Sequence, residues 1–322
     1  TYIMPNYNGV WSLTTQLQYA SDWPKPPSFA LFGIGSDAAT YSKVIERIDI
    51  NTAGNASDFG DLTQGRYRGG ALGSATRAVF GGGVADLSAG YGNNESDVMD
   101  YVTIATTGNA TDFGNLTQKR QGLAGLSNST RGVFSGGYSG SKYDVMDYIT
   151  IGSTGNATDF GNLINARLAV AACASTTRGL IGGGDAASIT NEIDYITIGS
   201  TGNGTDFGDL TVSKQDRAGL SSSVRGIFAG GGGGGNSNVI DYVTIASTGN
   251  ASDFGDLTAT KTRMGAASNS ITGIFAGGND GSKSNVVESI TIASTGNATD
   301  HGDLLATKQY LAGCSGSHGG IS

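Results

Sequence analysis

The sequence predicts an all-β protein, a seven-bladed β-propeller with four antiparallel strands per blade, closed by N- and C-terminal strands that share one blade. Three observations predict it. A ten-residue word, "TGNATDFGNL" at Thr107–Leu116, returns at Thr154–Leu163 and, slightly altered, at four other places. Its asparagine falls at Asn55, Asn109, Asn156, Asn203, Asn250 and Asn297, in steps of 54, 47, 47, 47 and 47. A period near 47 suits a four-stranded blade or a pair of helices. The segments between the words decide between these. They are short β-branched and aromatic runs punctuated by Gly, Asn and Asp, without apolar spacing of three and four.

The strands follow in order within each unit. In the third unit the runs are "GLAGLS" (122–127), "RGVFSGG" (131–137), "DVMDYITIGS" (144–153) and "ATDFGNL" (157–163). We name these the inner, second, third and outer strands. From the outer-strand aromatic to the second-strand position of the next unit, the pairs are Phe59 and Phe80, Phe113 and Phe134, Phe160 and Ile181, Phe207 and Phe228, and Phe254 and Phe275. Every gap is 21 residues. Inside a unit, second to outer strand, the gap runs 27, 33, 26, 26, 26 and 26, so length varies only in the loop between the second and third strands.

The 21-residue ruler extends to both ends. Trp11 lies 21 residues before Phe32 and so marks an outer strand where no copy of the word exists. His301 stands where the other units have Phe, and 21 further is Ser322, so "YLAGCSGSHGGIS" is expected to supply an inner and a shortened second strand. On this count the seventh blade is split between 1–14 and 307–322. The six full blades cover about 17–62, 65–116, 119–163, 166–210, 213–257 and 260–304, in a single domain spanning 1–322. A ring closed by both ends leaves no free sheet edge.

The residues then carry a resemblance. A Gly-Gly ending one strand, an acidic-Tyr pair such as Asp147-Tyr148, and an aromatic a dozen residues on, such as Phe160, resemble the kelch repeat over nearly the whole chain. Trp11, preceded by "TYIMPNYNG", is closest to the kelch Tyr-to-Trp pattern, whereas the other units use Phe. "DYVTIASTGNASDFGDL" (241–257) is similar to kelch-like repeats in tail and other virion proteins of marine phages, especially those of cyanobacteria. The resemblance implies a virion or extracellular protein. Its partners would be other virion proteins or a host-surface glycan or protein, with homo-oligomers left open. A lectin-type sugar binder and a kelch-type adaptor are the alternatives.

Composition narrows the partners. The chain has 322 residues, 54 of them glycine, a net charge of −8 and a pI near 4.7. Without a Lys/Arg cluster it lacks the positive footprint that phosphate contacts need, so no nucleic acid is expected. It contains no apolar run near the roughly 20 residues of a membrane span, so no membrane insertion is expected. Two cysteines and two histidines give no Cys/His metal cluster, and neither a metal nor a cofactor is expected. Cys173 and Cys314 lie 141 residues apart, three periods, which puts them at the same inner-strand position in blades three steps apart and too distant for a disulfide.

Repeated charges form columns. A basic residue opens the inner strand at Arg66, Arg120, Arg167, Lys214, Lys261 and Lys308, where the first unit has Gln18. An acid in the third strand matches it at Glu46, Asp100, Asp147, Asp194, Asp241 and Glu288. Two readings compete, an anion-binding ring along the axis and a structural pair copied with the blade; repetition alone places any structural contact in a ring, which favours the pair. A second basic column, Arg77, Arg131, Arg178 and Arg225, lapses at Thr272 and reads as a solvated edge. The sequons, joined by Asn94 and Asn128, could accept glycans or bind calcium. Turn chemistry explains them better, since Asn tolerates positive φ and bonds nearby backbone, and calcium needs more carboxylates than each copy offers.

Function is expected where the repeat varies. The second-to-third loops share one rim with the outer-to-inner links, and loops on a rigid scaffold carry recognition. The candidate binding residues are Tyr91, Asn93, Asn94, Glu95, Tyr138, Lys142, Tyr143, Asp185, Asn191, Asn236, Asn238, Asn279, Asp280 and Lys283. The tyrosines suit sugar and protein contacts, and the glycine run Gly230–Gly235 reads as a linker. No catalytic residue is expected, because most acids belong to repeated columns and both histidines fall in the irregular closing unit.

Overall fold

A computed structural model describes residues 28–37, 41–85 and 94–321, and these form strands, turns and bends without a helix. Six four-stranded antiparallel sheets stand as the blades of a propeller. The second blade comprises Gly70–Gly73, Arg77–Gly81, Val98–Thr103 and Thr111–Asn115. The third comprises Ala124–Ser127, Arg131–Ser135, Val145–Thr150 and Thr158–Asn162. The fourth comprises Ala171–Ala174, Arg178–Gly182, Glu192–Thr197 and Thr205–Asp209. The fifth comprises Ala218–Ser221, Arg225–Ala229, Ser237–Thr244 and Ser252–Lys261, and the sixth Gly265–Ser268, Thr272–Ala276, Ser284–Thr291 and Thr299–Lys308. The first blade joins the two ends of the described chain, with Ala312–Ser315 as its inner strand beside Phe29–Gly33, Val44–Asp49 and Ser57–Asp61.

Among the described residues the blade count is therefore six, not seven. The ruler gave the strand at Phe32 an inner partner from residues 17–62 and sent 307–322 to a seventh blade shared with residues 1–14. The partner of Phe29–Gly33 is instead Ala312–Ser315, with Ala30 opposite Ser315 and Phe32 opposite Gly313. Six copies of the word make six outer strands, each feeding the inner strand of the next blade, and the sixth step returns to the first. After Ser315 the chain forms turns rather than a second strand. Trp11 and Gln18 lie outside the described residues.

Apolar side chains pack between blades, which is why both faces of the middle strands are buried. One cluster joins Leu72, Met99 and Phe113 of the second blade to Phe134, Ile149 and Ile151 of the third. The same arrangement joins the sixth blade to the first, through Ile274, Val287 and Leu304 against Ala30, Phe32 and Ile48. Glycine pairs end the second strands because the chain turns there with positive φ, as at Gly82 (65°) and Gly83 (99°).

Candidate functional site

The repeated charges are structural pairs, each joining a basic residue on the approach to an inner strand to an acid in the third strand of the blade that this inner strand enters. Arg66 bonds Asp100 at 2.5 Å, Arg120 bonds Asp147 at 2.9 Å and Arg167 bonds Asp194 at 2.6 Å, all side chains fully or almost fully buried. Lys261 pairs with Glu288, and Lys308 with Glu46. Burial pushes the Arg66, Arg120 and Arg167 guanidinium groups below their usual range, against the pull of the facing carboxylates. One expected member is wrong. The partner of Asp241 is Arg217, at 2.8 Å, while Lys214 donates to the carbonyls of Gly233 and Gly235 in the glycine run. Arginine three residues later is long enough to reach the same carboxylate, and Lys214 is released to tie down the loop.

The second basic column is no solvated edge. Arg77, Arg131, Arg178 and Arg225 each donate to a carbonyl of the following blade, those of Ile151, Ile198, Ile245 and Ile292, at 2.9–3.1 Å. Each guanidinium also lies 4.4–4.7 Å above a tyrosine ring, Tyr101, Tyr148, Tyr195 and Tyr242 in turn. These are clamps between blades, combining a charge-assisted hydrogen bond with a cation–π contact.

The variable rim carries the loop residues named from the sequence, and many of them stitch one loop to the next. Lys142 bonds the Asp185 carboxylate at 2.8 Å and the Ala186 carbonyl; Asn236 donates to the Asn279 carbonyl at 2.9 Å; Lys283 donates to the Asp37 carbonyl. Glu95 accepts from Gln121 at 3.3 Å, and Asn279 donates to Gln309 at 3.0 Å. Tyr138 exchanges backbone hydrogen bonds with Gln121, the Tyr143 hydroxyl reaches the Ser139 carbonyl, and the Asn94 carbonyl accepts from Ala85. Asn191 donates to the Leu210 carbonyl, Asp280 accepts from Ser282, and Asn238 lies half-buried in a third strand. Tyr91 and Asn93 lie outside the described residues. The described parts of the loops thus form a stitched collar around the axis rather than a row of free fingers.

Inside that collar lies the cluster that sequence reasoning missed. The residue two positions before each inner strand, Arg68, Gly122, Ala169, Asp216, Arg263 and Tyr310, has φ between 53° and 66°. Their backbones run round the axial mouth, with Gly122 donating to the Arg68 carbonyl, Ala169 to Gly122, Asp216 to Ala169, Arg263 to Asp216 and Tyr310 to Arg263, at 2.7–2.9 Å. A left-handed conformation at five non-glycine residues stores about 1–3 kcal/mol each and is typical of functional constraint. The backbone is constant, but the side chains break the repeat. Arg68 and Arg263 lie 4.7 and 4.5 Å from the Tyr310 ring centre, and Asp216 sits 3.5 Å from Arg68 and 3.7 Å from Arg263. Tyr67 meets Tyr310 edge-on at 5.5 Å and in turn packs on Tyr41 at 4.4 Å.

Arg68, Asp216, Arg263 and Tyr310 border an axial cavity of about 110 Å³, room for roughly three or four waters. Two guanidinium groups and one carboxylate leave a net positive charge at the mouth of a protein whose overall charge is −8. Burial raises the Tyr310 hydroxyl above its ordinary value, against the pull of Arg68 and Arg263. The mouth is suited to holding the acidic tip of a partner, with donors and an aromatic ring already in place. The missed signal was present in the chain, because this column runs Arg, Gly, Ala, Asp, Arg and Tyr two residues after a column that is basic at all six positions, Arg66, Arg120, Arg167, Lys214, Lys261 and Lys308.

The opposite end of the axis is covered by residues after Ser315. His318 Nε2 lies 3.1 Å from the Gly73 carbonyl and 3.2 Å from the Ser127 hydroxyl, and Gly319 donates to the Ser221 carbonyl at 3.1 Å. Burial lowers the His318 pKa, and its bond to Gly73 partly offsets this. Hydroxyls bridge successive inner strands here, Ser127 to the Gly73 carbonyl, Ser221 to Ala174 and Ser268 to Ser221, each at 2.7 Å. Cys173 and Cys314 are both free and buried, with thiols pushed up to about 12. No protein-family model matches the chain, and no curated protein matches it; the fold itself is that of a β-propeller built from repeated blades.

Proposed function

We propose that this propeller is a non-catalytic binding protein of a phage virion, a tail or surface component that engages a host surface through its variable rim. One observation carries the binding part. The axial mouth is the place on that rim where Arg68, Asp216, Arg263 and Tyr310 depart from the repeat while the backbone beneath them does not. A propeller fold is consistent with a binding or structural role, and the kelch-like wording of the blades, similar to that of cyanophage tail proteins, supports the virion setting. The stitched collar favours a rigid docking face, which lowers the entropy lost on binding.

The test has two arms. Fluorescently labelled protein is incubated with marine cyanobacterial cells and counted by flow cytometry, beside the Arg68→Ala/Arg263→Ala variant. Cell binding that falls at least tenfold in the variant is the expected result, and equal binding by both proteins would remove the axial mouth from the reading. Mass spectrometry of purified virions that encode this chain supplies the second arm; its absence from the particles would end the virion assignment.

A further inference from the structure

The column of arginine, tyrosine and phenylalanine along the blades is broken in one place. In the third blade Arg131 lies over Tyr148, which meets Phe160 edge-on at 6.2 Å, and the second, fourth and fifth blades repeat this. The first blade keeps a cation and a ring but exchanges their places, with Arg47 4.5 Å from the Phe29 ring. In the sixth blade all three members change together, to Thr272, Ser289 and His301. There a groove of about 440 Å³ opens between the sixth and first blades.

We propose that this groove is a binding site for a neutral saccharide. Its volume lies in the range of roughly 300–1,000 Å³ typical of small-molecule sites. Thr272 and Ser289 present hydroxyl groups that both donate and accept, as sugar hydroxyls do. Ile50 and Ile290 add apolar surface for the C–H face of a sugar ring. His301, held by its Nε2 contact with the Asp49 carbonyl at 3.0 Å, forms a fixed wall. Among the described residues no lysine or arginine lines the groove, and Asp300 does, so a phosphate or carboxylate ligand is disfavoured. The site is separate from the axial mouth and does not depend on it.

The repeat supplies its own control. Thr272→Arg/Ser289→Tyr restores the pair that four other blades contain, and so fills the groove with side chains the fold already accommodates. Saturation-transfer NMR with glucose, galactose, mannose and N-acetylglucosamine should show binding of at least one to the unmodified chain. The double variant should bind at least tenfold more weakly and melt no lower. His301→Phe, which restores the third member alone, gives a second test if the double variant misfolds, and it too should weaken binding. Silence with all four sugars, preference for glucuronic acid, or binding retained in the filled variants would overturn the proposal.

Discussion

Asn109 Oδ1 accepts the backbone N–H of Asp61 at 3.0 Å, across the boundary between the first and second blades. The same contact recurs from Asn156 to Asn115, Asn203 to Asn162, Asn250 to Asp209 and Asn297 to Asp256, and Asn55 closes the series on Asp303. Backbone bonds flank it, as where Gly108 and Ala110 donate to Phe59 and Asp61. The sequon asparagine is thus a staple to the preceding blade rather than only a member of its own turn. The glycine after the phenylalanine receives the staple, since a Cβ on Gly114 would stand 2.4 Å from the Gly155 carbonyl oxygen.

Asn109→Ala should therefore cost about 1 kcal/mol, the net value of one hydrogen bond, and Gly114→Ala should cost about 3 kcal/mol or prevent folding, because carbonyl and methyl group cannot share the space. Urea unfolding of the two variants checks the order. Equal losses would refute the contact as the reason for the glycine.

Removing one member of a buried pair should be costly and removing both less so. Arg120→Met or Asp147→Leu alone should lose about 3–5 kcal/mol by leaving an uncompensated charge, while the double variant should recover most of that loss. Thermal melts of the three proteins read the difference, and additive losses would contradict it.

The thiols should be inert. With both values near 12 and both side chains buried, Ellman's reagent at pH 8 should label neither cysteine until denaturant is added. Rapid labelling of either in the native protein would count against the packing described.

Acid should loosen the axial cover. The folded value of His318 is depressed below the ordinary 6.5, so the unfolded state binds more protons in the interval between them. Its contribution to stability is present above pH 6.5 and is lost as pH falls through the folded value. Hydrogen exchange at Gly319 and Gly320 should rise on acidification through that interval relative to the amides of the blades, and His318→Gln should abolish the pH dependence.

Truncation should separate the two C-terminal roles. Ending the chain after Ser315 should leave a folded propeller with an uncovered axis. Ending it after Leu304 removes Lys308 and the inner strand of the first blade and should leave aggregated protein, measured by size-exclusion chromatography.

Much of this was legible in the sequence. Strand order, the four strands per blade and the paired columns at Arg66 and Asp100 follow from repetition, because a contact copied with each unit shows itself as a column. The blade count did not follow, since spacing along the chain cannot say which strand Ala312–Ser315 joins; only pairing in space decides it. Lys214 and Arg217 differ by three residues near the turn before an inner strand, and side-chain reach rather than alignment selects the partner of Asp241. Arg68, Asp216, Arg263 and Tyr310 escaped notice because they lie far apart in the chain and meet only around the axis. The staple role of Asn109 was hidden for a related reason, its partner belonging to another unit.

The pairing of Ala312–Ser315 with Phe29–Gly33 also determines how the molecule bears load. The polypeptide itself crosses every boundary between successive blades, so pulling two neighbours apart must stretch covalent chain. Among the described residues one seam lacks that tether, and it lies inside a sheet, where Ala30, Leu31, Phe32 and Gly33 face Ser315, Cys314, Gly313 and Ala312. Under tension the ring should part there first, unzipping a four-residue ladder and leaving the other five blades intact.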